Sequence, residues 1–155
     1  MSIEEKIAKL LIEKNLTLST VESCTGGLLS SRLTDISGSS SFITLNLITY
    51  SNQAKENLLG VKISSEGVVS ESCAYQMAKG LFNLTNSDIC VSTTGIAGPT
   101  GGSKEKPVGL MYSTIFSKEK YKNYKIQVPE NLGRLEIKKL FTDQVLNNIL
   151  DFITN

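Results

Sequence analysis

Short runs of β-forming residues alternate with amphipathic helical segments along this chain, and that order narrows the fold to a sheet covered by helices. Leu16–Val21, Phe42–Tyr50, Ile89–Thr94, Val108–Phe116 and Tyr121–Val128 read as strands. Around them, Ser2–Lys14, Leu28–Ile36, a short segment from Ser51-Asn52 through Leu58, a segment capped by Ser70 and the stretch beyond Pro129 read as helices. Ser2 and Glu5 have capping-box spacing, with Ile3, Ile7, Leu10 and Leu11 on one stripe. In the last helix Ile137, Leu140, Phe141, Val145, Ile149 and Phe152 recur at helical spacing, and Lys120, Lys122 and Lys125 mark Tyr121–Val128 as a sheet edge. The pattern predicts an open α/β sheet with helices on both faces, and ligands in such sheets sit at strand ends, where loops meet helix N-termini. No repeat, linker or low-complexity tract interrupts the 155 residues, so a single domain over 1–155 is expected.

Composition matters most through what it lacks. The chain has no histidine, which removes Ser-His-Asp and Cys-His catalysis and histidine-ligated metals. A hydrolase built from it must use lysine, tyrosine, a carboxylate, serine or threonine. Cys24, Cys73 and Cys90 are odd in number and widely spaced, which argues against a disulfide framework and a zinc knuckle. No metal or cofactor is expected. A net charge of +1 gives no basis for binding nucleic acid. The charged start, Met1-Ser2-Ile3-Glu4-Glu5-Lys6, is unlike a signal peptide and no stretch is long enough to span a membrane, so the expected location is the cytoplasm.

Five places can carry chemistry. Glu22-Ser23-Cys24-Thr25-Gly26-Gly27 joins a strand to a helix; it is either a glycine turn with a cap or an anion site of free amides plus a hydroxyl or thiol. Gly38-Ser39-Ser40-Ser41 reads as turn chemistry unless a base lies close. Lys55, in the first turn of a helix capped by Ser51 or Asn52, opposes the positive end of the helix dipole. That placement lowers a lysine pKa, and burial would lower it further, toward a usable general base; an exposed first-turn lysine is the plain alternative. Thr93-Thr94-Gly95-Ile96-Ala97-Gly98-Pro99-Thr100-Gly101-Gly102, then Lys104, Lys106 and Pro107, follows a buried strand and lacks both P-loop and dinucleotide-fingerprint spacing; it reads as a binding loop of another kind rather than a spacer. Arg134 and Lys138 share a helix face and can either grip a phosphate or stay solvated.

Taken in order, Val21-Glu22-Ser23-Cys24-Thr25-Gly26-Gly27, Thr49-Tyr50-Ser51-Asn52-Gln53-Ala54-Lys55, Val69-Ser70-Glu71, Thr94-Gly95-Ile96-Ala97-Gly98-Pro99 and Lys106-Pro107-Val108-Gly109 resemble the CinA C-terminal domain family of nicotinamide-nucleotide amidases. The resemblance implies a three-layer α/β/α sandwich around a mixed, mostly parallel sheet, in the stand-alone form of the family. It implies hydrolysis of nicotinamide mononucleotide to nicotinate mononucleotide and ammonia, in nucleotide salvage, and a homodimer. Carried onto this chain, Lys55 is the base, Ser40 the first choice of nucleophile with Ser23 its rival, and Tyr50 an assistant to Lys55. Glu22, Cys24, Thr25, Gly26 and Gly27 would bind substrate together with Thr94, Gly95, Ile96, Ala97 and Gly98, and Arg134 would take the phosphate. Two departures stand out: Asn46 where the family often has glycine, and Lys138 where it tends to have a second arginine. A catalytically silent nucleotide-binding domain is the alternative, and a role with DNA-uptake partners is disfavoured by the charge.

Overall fold

A computed structural model describes residues 1–155. The elements follow the order α1 (Ile3–Lys14), β1 (Leu18–Glu22), α2 (Leu28–Thr34), a 3-10 turn (Ser39–Ser41), β2 (Ile43–Ile48), α3 (Asn52–Leu59), α4 (Glu71–Thr85), β3 (Ile89–Gly95), β4 (Leu110–Phe116), β5 (Tyr121–Gln127) and α5 (Arg134–Thr154). The five strands lie in the order β2-β1-β3-β4-β5. β2, β1 and β3 run parallel, and β4 and β5 add antiparallel.

The helix boundaries are written in the local sequence. Ser2, Ser51 and Ser70 cap α1, α3 and α4, each hydroxyl accepting an N–H three residues on. Asn15, Gly60 and Asn86 end the same helices in the left-handed conformation. α1, α2 and α5 cover one face of the sheet around Ile7, Leu11, Leu29, Leu33, Phe141 and Val145. α4, with α3 beside it, covers the other around Val21, Met77, Leu81 and Cys90. This is a three-layer α/β/α sandwich.

The central strands are unusually polar for a buried sheet. Ser19, Thr20, Ser92, Thr93, Thr94, Ser113 and Thr114 are all buried. Most hydroxyls are satisfied in place: Ser92 donates to the Ala74 carbonyl at 2.7 Å, Ser19 pairs with Ser87 at 2.7 Å, and Thr20 donates to Asn46 Oδ1 at 2.8 Å. The register between β1 and β2 slips by one residue ahead of Asn46, so a bulge is present there. Asn46 does not make it by adopting a positive φ; only Asn15 and Asn86 do so among non-glycine residues.

Candidate active site

At the end of β1 the chain turns through Ser23–Gly27 into α2. Gly26 (φ 61°) and Gly27 (φ 101°) hold left-handed backbone there, which is why two glycines stand in series. Glu22 is wholly buried, and its carboxylate caps α2 from within. It accepts from the Gly27, Leu29 and Ser30 amides at 3.2, 3.0 and 2.9 Å, and from the Thr25 and Ser30 hydroxyls at 2.6 and 2.5 Å. Of the two readings of this helix start, the glycine turn with a cap is the one the structure has, and the protein's own carboxylate supplies the cap. Glu22, Thr25, Gly26 and Gly27 build the turn and do not line the adjacent cleft. The Cys24 and Thr25 amides, between them, donate to no protein group.

The next element brings Lys55 to this turn. Ser51 caps α3 by accepting the Ala54 amide at 3.0 Å, and Lys55 follows on the buried side, only 1% exposed. Its ammonium donates to the Thr49 carbonyl at 2.6 Å, the Tyr50 carbonyl at 3.2 Å and Ser23 Oγ at 3.2 Å. None of the ion pairs in the molecule includes Lys55. Desolvation by burial pushes its pKa below the ordinary lysine value, against a smaller opposing effect of Cys73 and Cys24. Three oxygens thus hold a buried lysine that no carboxylate neutralises, and one of the three is the Ser23 hydroxyl.

The third wall comes from the end of β3. Thr93 Oγ1 accepts the Ser23 amide at 3.2 Å and pairs with the Thr25 hydroxyl at 2.9 Å, which fixes the Ser23 turn against the sheet. The Gly95–Gly98 loop then folds over the cleft. A Cβ on Gly95 would stand 2.6 Å from the Leu110 carbonyl oxygen, so only glycine lets β3 and β4 close here. Arg134, the first residue of α5, donates to the Gly98 carbonyl at 2.6 Å and to the Tyr50 hydroxyl at 3.0 Å. It thereby straps the mouth of a cleft of about 250 Å³ that Ser23, Lys55, Thr94 and Ile96 line from within.

The structure brings together most of the predicted residues and separates one. Ser23, Cys24, Tyr50, Lys55, Thr94, Gly95, Ile96, Ala97, Gly98 and Arg134 surround one cleft. Ser40 does not: it is exposed in the 3-10 turn that precedes β2, whereas Lys55 sits past the other end of that strand. The length of β2, roughly 20 Å, separates them within one chain. The first choice of nucleophile is corrected on that ground, because a base acts only within hydrogen-bond reach. Cys24 stays in the cleft wall as a neutral thiol. Burial first and Glu22 second push its thiol up to about 12, so it stays protonated. Tyr50 orients Lys55 through its carbonyl, while its phenol turns outward to Arg134. The Thr94 hydroxyl donates to the Val68 carbonyl at 2.8 Å and acts in the wall. Lys138 reaches over Gly26 in a separate shallow hollow. The sequence reading set Thr93 at the start of the glycine-rich stretch without a role of its own and missed it as the anchor of the Ser23 turn; the unbroken polar run Ser92-Thr93-Thr94 in a buried strand was the available signal.

The comparisons with known proteins bear on the family and the fold. The profile of the CinA C-terminal domain matches residues 1–153. A CinA-like protein of Chlorobaculum tepidum is 54% identical over 121 residues, 76% of this chain and 29% of its own length. A CinA-like protein of Shewanella pealeana is 44% identical over 137 residues, 86% of this chain and 32% of its own. The chain thus spans about a third of the length of the curated relatives it matches. Among solved structures, the competence/damage inducible protein CihA of Agrobacterium tumefaciens superposes with a TM-score of 0.88 at 35% identity, each chain covered in full. A competence or damage-inducible protein of Enterobacter asburiae gives a TM-score of 0.90 at 26% identity, covering 97% of this chain and 96% of that one. With a family match along nearly its whole length and solved relatives of the same architecture, this chain belongs to the CinA C-terminal domain family.

Proposed function

We propose that this chain is an amidohydrolase that converts nicotinamide mononucleotide to nicotinate mononucleotide and ammonia, with Ser23 as nucleophile and Lys55 as base. The observation that carries the reading is the buried Lys55 ammonium nitrogen 3.2 Å from Ser23 Oγ, without a carboxylate partner. Neutral Lys55 takes the Ser23 proton as Oγ attacks the carboxamide carbon. The proton then passes to the departing nitrogen, which leaves as ammonia. Water, activated by the same lysine, cleaves the ester and releases the carboxylate and Ser23. The unpaired Cys24 and Thr25 amides are the nearest donors in sequence for the oxyanion, each such donor being worth about 3 kcal/mol. Arg134, at the mouth, is placed to exchange its Tyr50 contact for the nucleotide phosphate. The chemistry needs no histidine, in keeping with the composition, and the working unit is taken as one domain assembled as a homodimer.

The test is ammonia release from nicotinamide mononucleotide by the purified chain, with and without a chelator, beside Lys55→Ala and Ser23→Ala. The reading expects chelator-resistant turnover that both substitutions abolish. Turnover unchanged in Ser23→Ala would move the attack to another group. A wild-type chain that binds the nucleotide without turnover would instead be a silent binding domain.

A further inference from the structure

Four aromatic rings gather where α4 meets the two outer strands. Phe116, at the end of β4, and Tyr121, at the start of β5, are cross-strand partners whose rings stack with centroids 6.1 Å apart. From α4, Phe82 lies 5.2 Å and Tyr75 6.0 Å from the Phe116 ring. Contacts of this kind close the margin of a core. Tyr75 and Tyr121 also face outward. Their rings meet at 62° with centroids 4.8 Å apart, and both line a shallow cavity of about 220 Å³ together with Glu66, Glu71, Ser72 and Asn123.

The lining decides what such a cavity can hold. Its two neutral polar side chains are already engaged: the Ser72 hydroxyl accepts from the Gln76 amide at 3.1 Å, and Asn123 Oδ1 accepts the Thr114 hydroxyl at 2.7 Å. The Glu66 and Glu71 carboxylates enter none of the molecule's ion pairs. No lysine or arginine lines the cavity. Lys106 donates to the Glu66 backbone carbonyl instead, and Lys79 stands 6.0 Å from the Tyr75 ring centroid outside the lining. What remains for a ligand is two carboxylates and two tyrosine rings. An anion is repelled by the first and gains nothing from the second. A divalent metal ion demands a fuller set of oxygens than two exposed side chains supply. An organic cation uses both, since carboxylates attract its charge and π-faces attract its polarised methyl groups.

We propose that this cavity binds a small, free organic cation of the trimethylammonium class, with its methyl groups against Tyr75 and Tyr121 and its charge between Glu66 and Glu71. The site shares no residue with the Ser23–Lys55 cleft, and the inference does not rest on the amidase reading. One segment nevertheless serves both places. Between Glu66 and Glu71, Val68 and Val69 line the cleft, and the Thr94 hydroxyl holds the Val68 carbonyl there.

The test is a nuclear magnetic resonance titration of the full chain with choline chloride, against sodium chloride at equal ionic strength. Choline should shift the backbone amides of Glu71, Tyr75 and Tyr121 and saturate at millimolar concentration. Its neutral analogue, with carbon in place of the ammonium nitrogen, has the same shape and should bind about tenfold more weakly. The double variant Glu66→Gln, Glu71→Gln changes two exposed side chains, and Tyr121→Leu changes one that is 54% exposed, so both should fold as the wild type does. Each should weaken choline by about fivefold or more. No saturable shift, equal affinity for the neutral analogue, or unchanged affinity in both variants overturns the site. Phosphatidylcholine vesicles carry the same headgroup at a surface, and the chain should stay in solution when they are sedimented. Co-sedimentation that the two variants abolish would overturn the free cation as ligand and give the cavity to a lipid headgroup.

Discussion

The two ends of the sheet differ in how they treat polar groups. At the start of the parallel strands, a hollow of about 700 Å³ opens between the ends of α4 and α5 and the Ser117–Lys120 turn. The polar side chains at the strand starts are bonded to one another or to backbone. Asp88 accepts from the Thr17 amide and hydroxyl at 2.8 and 3.1 Å, Ser19 pairs with Ser87, and Ser117 donates to the Lys120 carbonyl at 2.8 Å. At the far end of the same strands the cleft is smaller, yet it holds a buried lysine with no counter-charge beside an available hydroxyl. Space alone does not mark a reactive site. A charge whose desolvation is left uncompensated does, because that is what moves its proton affinity toward use.

Removing that lysine gives the largest expected effect. Lys55→Met keeps length and apolarity while deleting the base, so turnover should fall by about three orders of magnitude with nucleotide binding retained. The same variant isolates the cost of the buried ammonium. Folding holds the Lys55 pKa below the ordinary value of 10.5, so the unfolded chain binds that proton more tightly. Between the lowered value and 10.5, wild-type stability therefore rises with pH, and it is lost again as pH falls through the lowered value. Urea unfolding of the two proteins across alkaline pH should show their difference climbing through that window and flattening on either side. A difference that stays constant would mean that Lys55 pays no desolvation cost, and the contrast between the two ends would lose its basis.

Glu22 comes next, and its effect is on stability. The carboxylate takes five donors at a wholly buried position. Glu22→Gln turns one acceptor into a donor that faces amides, which should cost about 2 to 3 kcal/mol in urea unfolding. A loss well below 1 kcal/mol would show that the turn holds Ser23 without its internal cap.

The fold was legible in the sequence to within a few residues because its signals are local. Ser2, Ser51 and Ser70 cap where their spacing predicted, and all five strand runs became strands. The cleft was legible in part. Lys55, Ser23 and the Gly95–Gly98 loop lie at strand or helix ends that the α/β order brings together. The error over Ser40 arose because it is near Lys55 in sequence but a full strand away in space, and strand length must be counted before two loops are joined. A cap at the start of α2 was legible, but that Glu22 supplies it was not, since a carboxylate before a glycine turn also reads as a ligand contact.

Arg134 should show a moderate effect. Its guanidinium spans the Gly98 carbonyl and the Tyr50 hydroxyl with two different nitrogens, a geometry that an ammonium cannot copy. Arg134→Lys should raise KM for nicotinamide mononucleotide about tenfold, or ~1.4 kcal/mol, and leave kcat within about twofold. A fall in kcat with KM unchanged would put the arginine at the reacting carboxamide rather than at the phosphate.

The smallest effect belongs to the opposite end of the sheet, and it sharpens the contrast by what it leaves alone. Asp88 ties the start of β3 to that of β1 through Thr17, at an exposed position where water can replace either bond. Asp88→Asn keeps one acceptor oxygen for the Thr17 amide and gives up the charge assistance. Its cost should not exceed about 1 kcal/mol in urea unfolding, with kcat and KM both as in the wild type. The cleft and the hollow share β1 and β3, so a strand that carried strain between them would register the change in turnover. If Asp88→Asn lowers activity more than its small stability loss accounts for, the two ends are mechanically coupled and the larger hollow has a part in the reaction after all.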